Sequence, residues 1–290
     1  MELNGLLLAY DGIDRANVLK YIDAPFYGGL KYLMLEKIMN PTIALKNGNP
    51  LISNPLKALL DSTDLTEIVI ACHHSSRSRL EEMATTSNKQ RKKLKIVEAN
   101  GHVGNIVQQA IDNFSNSNPI FLMLPDLPLV TGEDVDFVVK DLSYRIDQSA
   151  DAYIPVIPTD YLHLGFFKEK QRRIGIPIRD NGKPRSFAFL NFLIFDPKSH
   201  NPTFTRQFYH SRTFRTLSGF SGIIKNIPLE LVREIAMKRL RQDLNFEDLE
   251  NVGKILSGRT IKIVRCYEPG YLPFVYDIDT KSDYVGYLKS

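Results

Sequence analysis

The sequence predicts an α/β fold with a mostly parallel central sheet. Short, almost unbroken apolar runs recur along the first half, and segments with helical spacing separate them. Such runs suit strands covered on both faces, and their alternation with helices implies βαβ units. At 290 residues, 43% of them hydrophobic, the chain is long enough to bury the large core this needs.

The elements follow in order. Residues 5–9 (GLLLA), 68–72 (IVIAC), 94–97 (LKIV) and 120–124 (IFLML) are the predicted strands of the first half. Between them, Asn54 and Pro55 supply a cap and a first-turn proline for a helix through PLKALLDS. Residues 76–83 are weakly helical, and residues 103–114 carry apolar positions at helical spacing. Thr131 to Asp134 (TGED) reads as a capping box that opens VDFVVKDL.

The second half is less regular. Residues 152–157 (AYIPVI) form a strand, followed by a polar loop over 160–173. Residues 187–195 (FAFLNFLIF) read as one long apolar strand. Helical patterns return at 229–240 and 246–256, and a last strand spans 260–266. With no repeat, low-complexity tract or linker, the expectation is one domain over 1–290 that carries an inserted, smaller, partly antiparallel subdomain. Residues 1–150 and 151–290 are the two halves of the expected architecture.

Composition narrows the function classes. No apolar run approaches the ~18 residues of a membrane span. The start, MELNGLLLAYDG, lacks a basic region, and its short apolar stretch runs into Asp11, unlike a signal peptide. Cys72 and Cys266 are too few for a disulfide framework and fit a reducing compartment, so a cytoplasmic protein is expected. The net charge of +4 is too modest to require nucleic acid, and the basic cluster at 89–95 reads as a solvated loop.

Ligands of open α/β sheets bind beyond the carboxyl ends of the strands, so acids there are the first candidates. Asp126 follows IFLML, and Pro125 and Pro128 stiffen its turn. Thr131 already caps the next helix, which leaves Asp126 for another role. Asp277 and Asp279 follow the last strand and alternate onto one side of an extended segment. Together with Asp126 they offer the oxygen ligands that a hard cation such as Mg²⁺ takes.

These stretches resemble the MobA-like NTP transferases, which are nucleotidyltransferases of the GT-A-like fold related to molybdenum-cofactor and phospholactate nucleotidyltransferases. FLMLPDLPLVTGEDVDFVV resembles the family's strand, aspartate and D-x-P-L-[IL]-T turn. NPLI with PLKALLDS is similar to its G-x-P-[LM]-[IV] segment, EANGHVGNIVQ to its Gly- and Asn-containing loop, and YDIDTKSDY to its D-[IV]-D-T-P-E-D ending. RIGIPIRDNGKPRSFAFLNFLIFDP resembles a stretch in which an Asn, here Asn191, precedes an apolar strand. The resemblance covers most of the chain in the same order.

It implies a three-layer α/β/α fold and transfer of an NMP from an NTP to a small phosphorylated or hydroxylated acceptor, with release of pyrophosphate. Asp126, Asp277 and Asp279 are the implied Mg²⁺ ligands, with Asp126 and Asp279 catalytic. Ala9, Tyr10 and Gly12 correspond to the phosphate loop, Gly101 and Asn105 to the base or ribose side, and Asn191 to the acceptor side. Tyr10 and Asp11 stand where the family has glycines, so close backbone approach is hindered and a negative charge joins the loop. The position of the family lysine falls near Pro41; Lys31, Lys46 and Arg15 are its substitutes, and Lys46 is taken as the catalytic candidate.

Other features read blandly or as lesser candidates. His73 and His74 have no second cluster at zinc spacing and read as polar loop residues, and Gly28-Gly29 as a turn. No G-x-S-x-G elbow, P-loop or G-x-G-x-x-G fingerprint occurs. The aromatic and arginine-rich run 204–220 is an acceptor-side lid candidate through Arg212 and Arg215, or a surface that touches lipid. Two further functional readings compete: a glycosyltransferase with a nucleotide-sugar donor, and a non-catalytic nucleotide-binding protein with a degenerate phosphate loop.

Overall fold

The computed structural model describes residues 2–9, 46–87, 93–146, 149–163, 176–205, 228–277 and 287–288. Within these, nine strands join in one mixed sheet of order β3-β2-β1-β4-β8-β5-β7-β6, and β9 pairs with β5. The parallel part comprises β1 (Leu3–Ala9), β2 (Leu65–Cys72), β3 (Lys93–Glu98) and β4 (Ile120–Met123). Strand β5 (Ala152–Pro158) runs antiparallel to β7 (Lys183–Phe189) and β8 (Phe192–Phe195), and parallel to β9 (Ile261–Arg265). Strand β6 (Ile176–Asp180) completes an antiparallel hairpin with β7.

Helices cover both faces, as the burial of every residue of β1 requires. On one face α1 (Ser53–Asp61), α2 (Arg77–Ser87) and α4 (Gly132–Arg145) pack their apolar sides on Leu7, Ile70, Phe121 and Met123. On the other, Ile106, Val107 and Ala110 of α3 (Val103–Ile111) meet Leu6, Val69 and Leu122. Further along that second face, Phe246 and Leu249 of α6 (Phe246–Ser257) pack on Val156 and Phe187. Helix α5 (Leu229–Leu240) precedes α6 and buries none of its residues. The three-layer α/β/α arrangement is the expected one.

Thr131 caps α4 in a full capping box with Asp134, as its spacing predicts. Asn54 does not cap. Helix α1 begins at Ser53 without a side-chain cap, and Asn54 Nδ2 donates to the Pro128 carbonyl at 2.5 Å. The apolar run 187–195 is two strands rather than one. The chain stays beside β5, where Leu190 donates to the Pro155 carbonyl, but a bulge at Leu190 and Asn191 shifts the register between Phe189 and Phe192, because the Asn191 backbone bonds Leu124 and Phe274 instead. The hairpin β6–β7 turns through Asn181 at φ +49° and Gly182 at φ +79°, a two-residue primed turn that Asn-Gly favours. Among the described residues no helix is long and apolar enough to cross a membrane.

Candidate functional site

The carboxyl ends of β1 and β4 lie side by side, with Leu7 opposite Met123. Ala9 ends β1, buried beside Cys72 of β2. The turn that follows β4 carries Asp126, only 7% exposed, and buries Leu127 and Val130 in the core on the side of α1 and α4. The Asn54 bond to Pro128 fastens this turn to α1.

Asn191 ties the Asp126 turn to the segment that carries Asp277. The Leu124 N–H donates to the Asn191 carbonyl at 3.1 Å, and the Asn191 N–H donates to the Phe274 carbonyl at 3.0 Å. Its side-chain Nδ2 donates to the Val275 carbonyl at 3.3 Å. Asp126 lies two residues beyond Leu124, and Asp277 two beyond Val275. One buried amide therefore joins the two acid-bearing segments, and Asp277 is 5% exposed. This is why the chain breaks between β7 and β8. The described bonds of Asn191, expected on the acceptor side, are to the acid-bearing backbone.

Two buried carboxylates on neighbouring segments fit a hard cation, since burying such charges is costly unless something cationic or protic compensates. Mg²⁺ sites in phosphate chemistry commonly use only one or two protein carboxylates, with phosphate and water completing the shell. Among the described residues no group of three or more His, Cys, Asp or Glu side chains could hold a metal by itself. Asp279, the third predicted acid, lies outside the described residues, as do Tyr10, Gly12 and Arg212.

Gly101 and Asn105 come together at the amino end of α3. Gly101 adopts φ +99°, and its α-carbon faces the Asn105 side chain. His102 caps the helix by accepting from the Asn105 N–H. This loop follows β3, so the helix start lies at the same carboxyl end of the sheet as the Asp126 turn. Gly104, one residue before Asn105, meets the backbone of Pro202: a Cβ there would fall 1.9 Å from the Pro202 carbonyl oxygen. Lys46 is exposed, with its Nζ 5.5 Å from the centre of the Tyr287 ring and its N–H donating to the Tyr287 hydroxyl at 3.4 Å. Tyr287 is buried and carried no signal in the sequence beyond its aromatic character.

The two adjacent histidines behave as polar loop residues. Their rings lie 4.1 Å apart, and His73 caps the short turn His74–Ser76. Nearby, burial pushes the Cys72 thiol up to about 11, so it stays protonated and unreactive.

A second polar group at this end of the sheet was not foreseen. Arg185 holds Asp160 in a bidentate pair, Nε to both oxygens at 3.1 Å and a terminal nitrogen to Oδ2 at 2.6 Å. Its guanidinium lies 5.4 Å from the Tyr161 ring centre and 5.7 Å from that of Tyr267. Below it, Asp180 accepts from Arg265 at 2.9 Å and from the Tyr267 hydroxyl at 3.0 Å. The available signal was positional: Tyr161 and Tyr267 each follow the end of a strand, where β5 and β9 leave the sheet side by side.

Comparisons with known proteins place this geometry in a fold. Neither a family model nor a curated protein sequence matches the chain. Solved structures do match in shape. A hypothetical transferase from Thermus thermophilus superposes with a TM-score of 0.60 at 15% identity, covering 98% of this chain and 100% of its own. The 4-diphosphocytidyl-2C-methyl-D-erythritol synthase of Anaerococcus prevotii gives 0.50 at 9% identity, over 99% and 95% of the two chains. CMP:2-keto-3-deoxy-manno-octonic acid synthetase, solved with CTP, gives 0.50 at 12% identity, over 100% and 98%. The chain has the nucleotidyltransferase-type, GT-A-like fold.

Proposed function

We propose that this protein is a Mg²⁺-dependent nucleotidyltransferase of the MobA-like type. It moves an NMP from an NTP to a small phosphorylated or hydroxylated acceptor and releases pyrophosphate. The observation that carries the reading is the Asn191 bridge, which joins two buried acid-bearing segments at the carboxyl end of the sheet. The fold shared with solved nucleotidyltransferases supports it.

In this reading Asp126 and Asp277, with Asp279, hold Mg²⁺. When bound, the ion offsets charge that builds on the α-phosphate and on the departing pyrophosphate. Ala9, Tyr10 and Gly12 line the triphosphate, and Gly101 and Asn105 contact the base or ribose. Lys46, steadied on Tyr287, supplies positive charge to the leaving group. An acceptor oxygen attacks the α-phosphorus; the bond from that oxygen to phosphorus forms as the α–β bridging bond breaks. A phosphate oxygen is already anionic at neutral pH, so such an acceptor needs no general base.

A thermal-shift screen of the four NTPs, with and without Mg²⁺, tests this on wild type and Asp126→Ala. A ligand that binds only the folded chain raises its midpoint by mass action. A Mg²⁺-dependent shift with one NTP, lost in Asp126→Ala, is the expected result. No shift with any NTP counts against donor binding, and an equal shift in the variant counts against Asp126.

A further inference from the structure

From the Arg185 group we infer a binding site for a phosphate monoester at the edge of the cleft, which grips the part of the acceptor remote from the attacking oxygen. The inference rests on the nucleotidyltransferase reading, because it takes the acceptor to enter beside β5 and narrows it to compounds bearing a phosphate.

Register places the group at the right height. Ile194 of β8 pairs with both Phe121 of β4 and Tyr153 of β5, so those two residues are level. Five residues further along each chain stand Asp126 and Pro158 (121 + 5 and 153 + 5). Pro158 pairs with Phe187, and Arg185 lies two residues beyond Phe187 on the same side of β7. That side is the one shared by Val156 and Ala152, which belongs to the face that packs Leu122 of β4 on α3. Arg185 is therefore at the end of the sheet that the Asp126 turn occupies, on the side of α3, while Leu127 and Val130 of the turn pack on the opposite side. Strand β7 continues the line of β8 along one edge of β5, with β9 on the other, so about one strand spacing, roughly 5 Å, separates that line from β4, and the long arginine side chain adds reach. A small phosphorylated sugar or polyol spans that distance.

The chemistry also favours a phosphate. A planar guanidinium presents paired N–H groups that match two oxygens of a phosphate, and stacking on aromatic rings holds its plane fixed. Tyr161 and Tyr267 supply those rings, 6.3 Å apart. The carboxylate now in the fork, Asp160, is 57% exposed, so water and salt weaken its hold and a dianion can displace it. Arg185 keeps its proton throughout, raised by the hydrogen bond to Asp160.

A simple hairpin latch makes the opposite prediction, and one titration separates the two. The Arg185 Nε–Hε signal, identified by its loss in Arg185→Lys, is followed by NMR while methyl phosphate is added. The site predicts a saturable shift of this signal, while that of the exposed Arg233 does not saturate over the same range. In Asp160→Asn the competitor is gone, so affinity for methyl phosphate rises roughly two- to fivefold. A signal that does not move, or an Asp160→Asn chain that binds no tighter, overturns the proposal. Donor binding is read separately by the NTP thermal shift, so loss of that shift with Arg185 still titrating rejects the transferase reading and leaves the phosphate site standing.

Discussion

The side-chain amide of Asn191 donates to the Val275 carbonyl across a sequence separation of 84 residues, and the backbone of Asn191 meets Leu124 on its other side. A buried amide with fixed partners sets distance as well as stability. Asn191→Ala removes the Val275 bond and leaves a buried carbonyl short of a donor, at a cost of about 1–3 kcal/mol. Chemical denaturation should report that loss. A positioning role predicts a second effect: Mn²⁺ binding, followed by the loss of its free EPR signal, weakens in Asn191→Ala even where the chain is fully folded. Unchanged Mn²⁺ affinity would leave Asn191 a purely structural residue.

Gly104 is the point of closest approach between α3 and the segment 197–205. An added methyl group would fall on the Pro202 carbonyl oxygen, backbone on backbone, with no flexible side chain to give way. Gly104→Ala should therefore destabilise the fold by about 1–3 kcal/mol or more, although alanine is the better helix former. Gly48→Ala is the control: it has a positive φ and open space around it, and only the backbone preference is lost, about 1 kcal/mol. Denaturant midpoints of the two variants should separate clearly. Equal midpoints would mean that the 197–205 segment shifts freely.

Much of this was legible in the sequence, and the failures share a cause. The buried strands β1, β2 and β4 announce themselves because strands covered on both faces are largely apolar, while the edge strand β3 shows only its short apolar centre between charged residues. The capping box at Thr131 is equally local and was read correctly. Composition could not show that the run 187–195 divides, because the break depends on Asn191 finding partners at 124, 274 and 275. Asn54 was misread for the same reason: its partner is Pro128, a residue distant in sequence. The Asn181-Gly182 turn is different, since Asn-Gly between two β-prone runs is a local signal that the strand assignment passed over. The Arg185, Tyr161 and Tyr267 group arises only once β5, β7 and β9 are adjacent.

His200 gives the fold a pH dependence with a definite sign. Burial lowers its pKa from 6.5 to about 4, against a smaller opposing effect of Asp112. Both ring nitrogens are engaged, Nδ1 with Gln108 Oε1 at 2.9 Å and Nε2 with the Thr205 hydroxyl at 3.0 Å. A neutral ring with its proton on Nδ1 satisfies both. The unfolded chain takes up a proton near pH 6.5 and the folded one only near 4, so stability falls as pH drops between those values and levels off below. His200→Gln should flatten that part of a stability–pH curve. A wild-type curve that is level from pH 7 to 4 would contradict this placement.

At the opposite end of the sheet from Asp126, Glu67 adds a loss of stability in the same direction, at lower pH. Its carboxylate is 2% exposed and accepts from the Ser115 N–H at 2.8 Å and the Ser115 hydroxyl at 3.0 Å, with Lys95 at 3.4 Å and Lys93 at 3.6 Å. Burial alone would raise its pKa, but these partners outweigh it and the net shift is downward. The stability this provides is thus complete above the unfolded pKa near 4.5 and is lost as pH falls through the lower folded value. Removing the carboxylate leaves both lysines solvated, at 56% and 38% exposure, so no buried cation results. The loss then falls on the Ser115 bonds, and Glu67→Ala should cost about 2 kcal/mol, below the 3–5 kcal/mol of a fully buried broken ion pair. Glu67→Gln, which keeps an acceptor oxygen for Ser115 and drops the charge, should recover about half of that loss. Urea unfolding at pH 7 and pH 3 checks both parts, because the Glu67→Ala deficit should shrink at the lower pH as wild type also loses the charge.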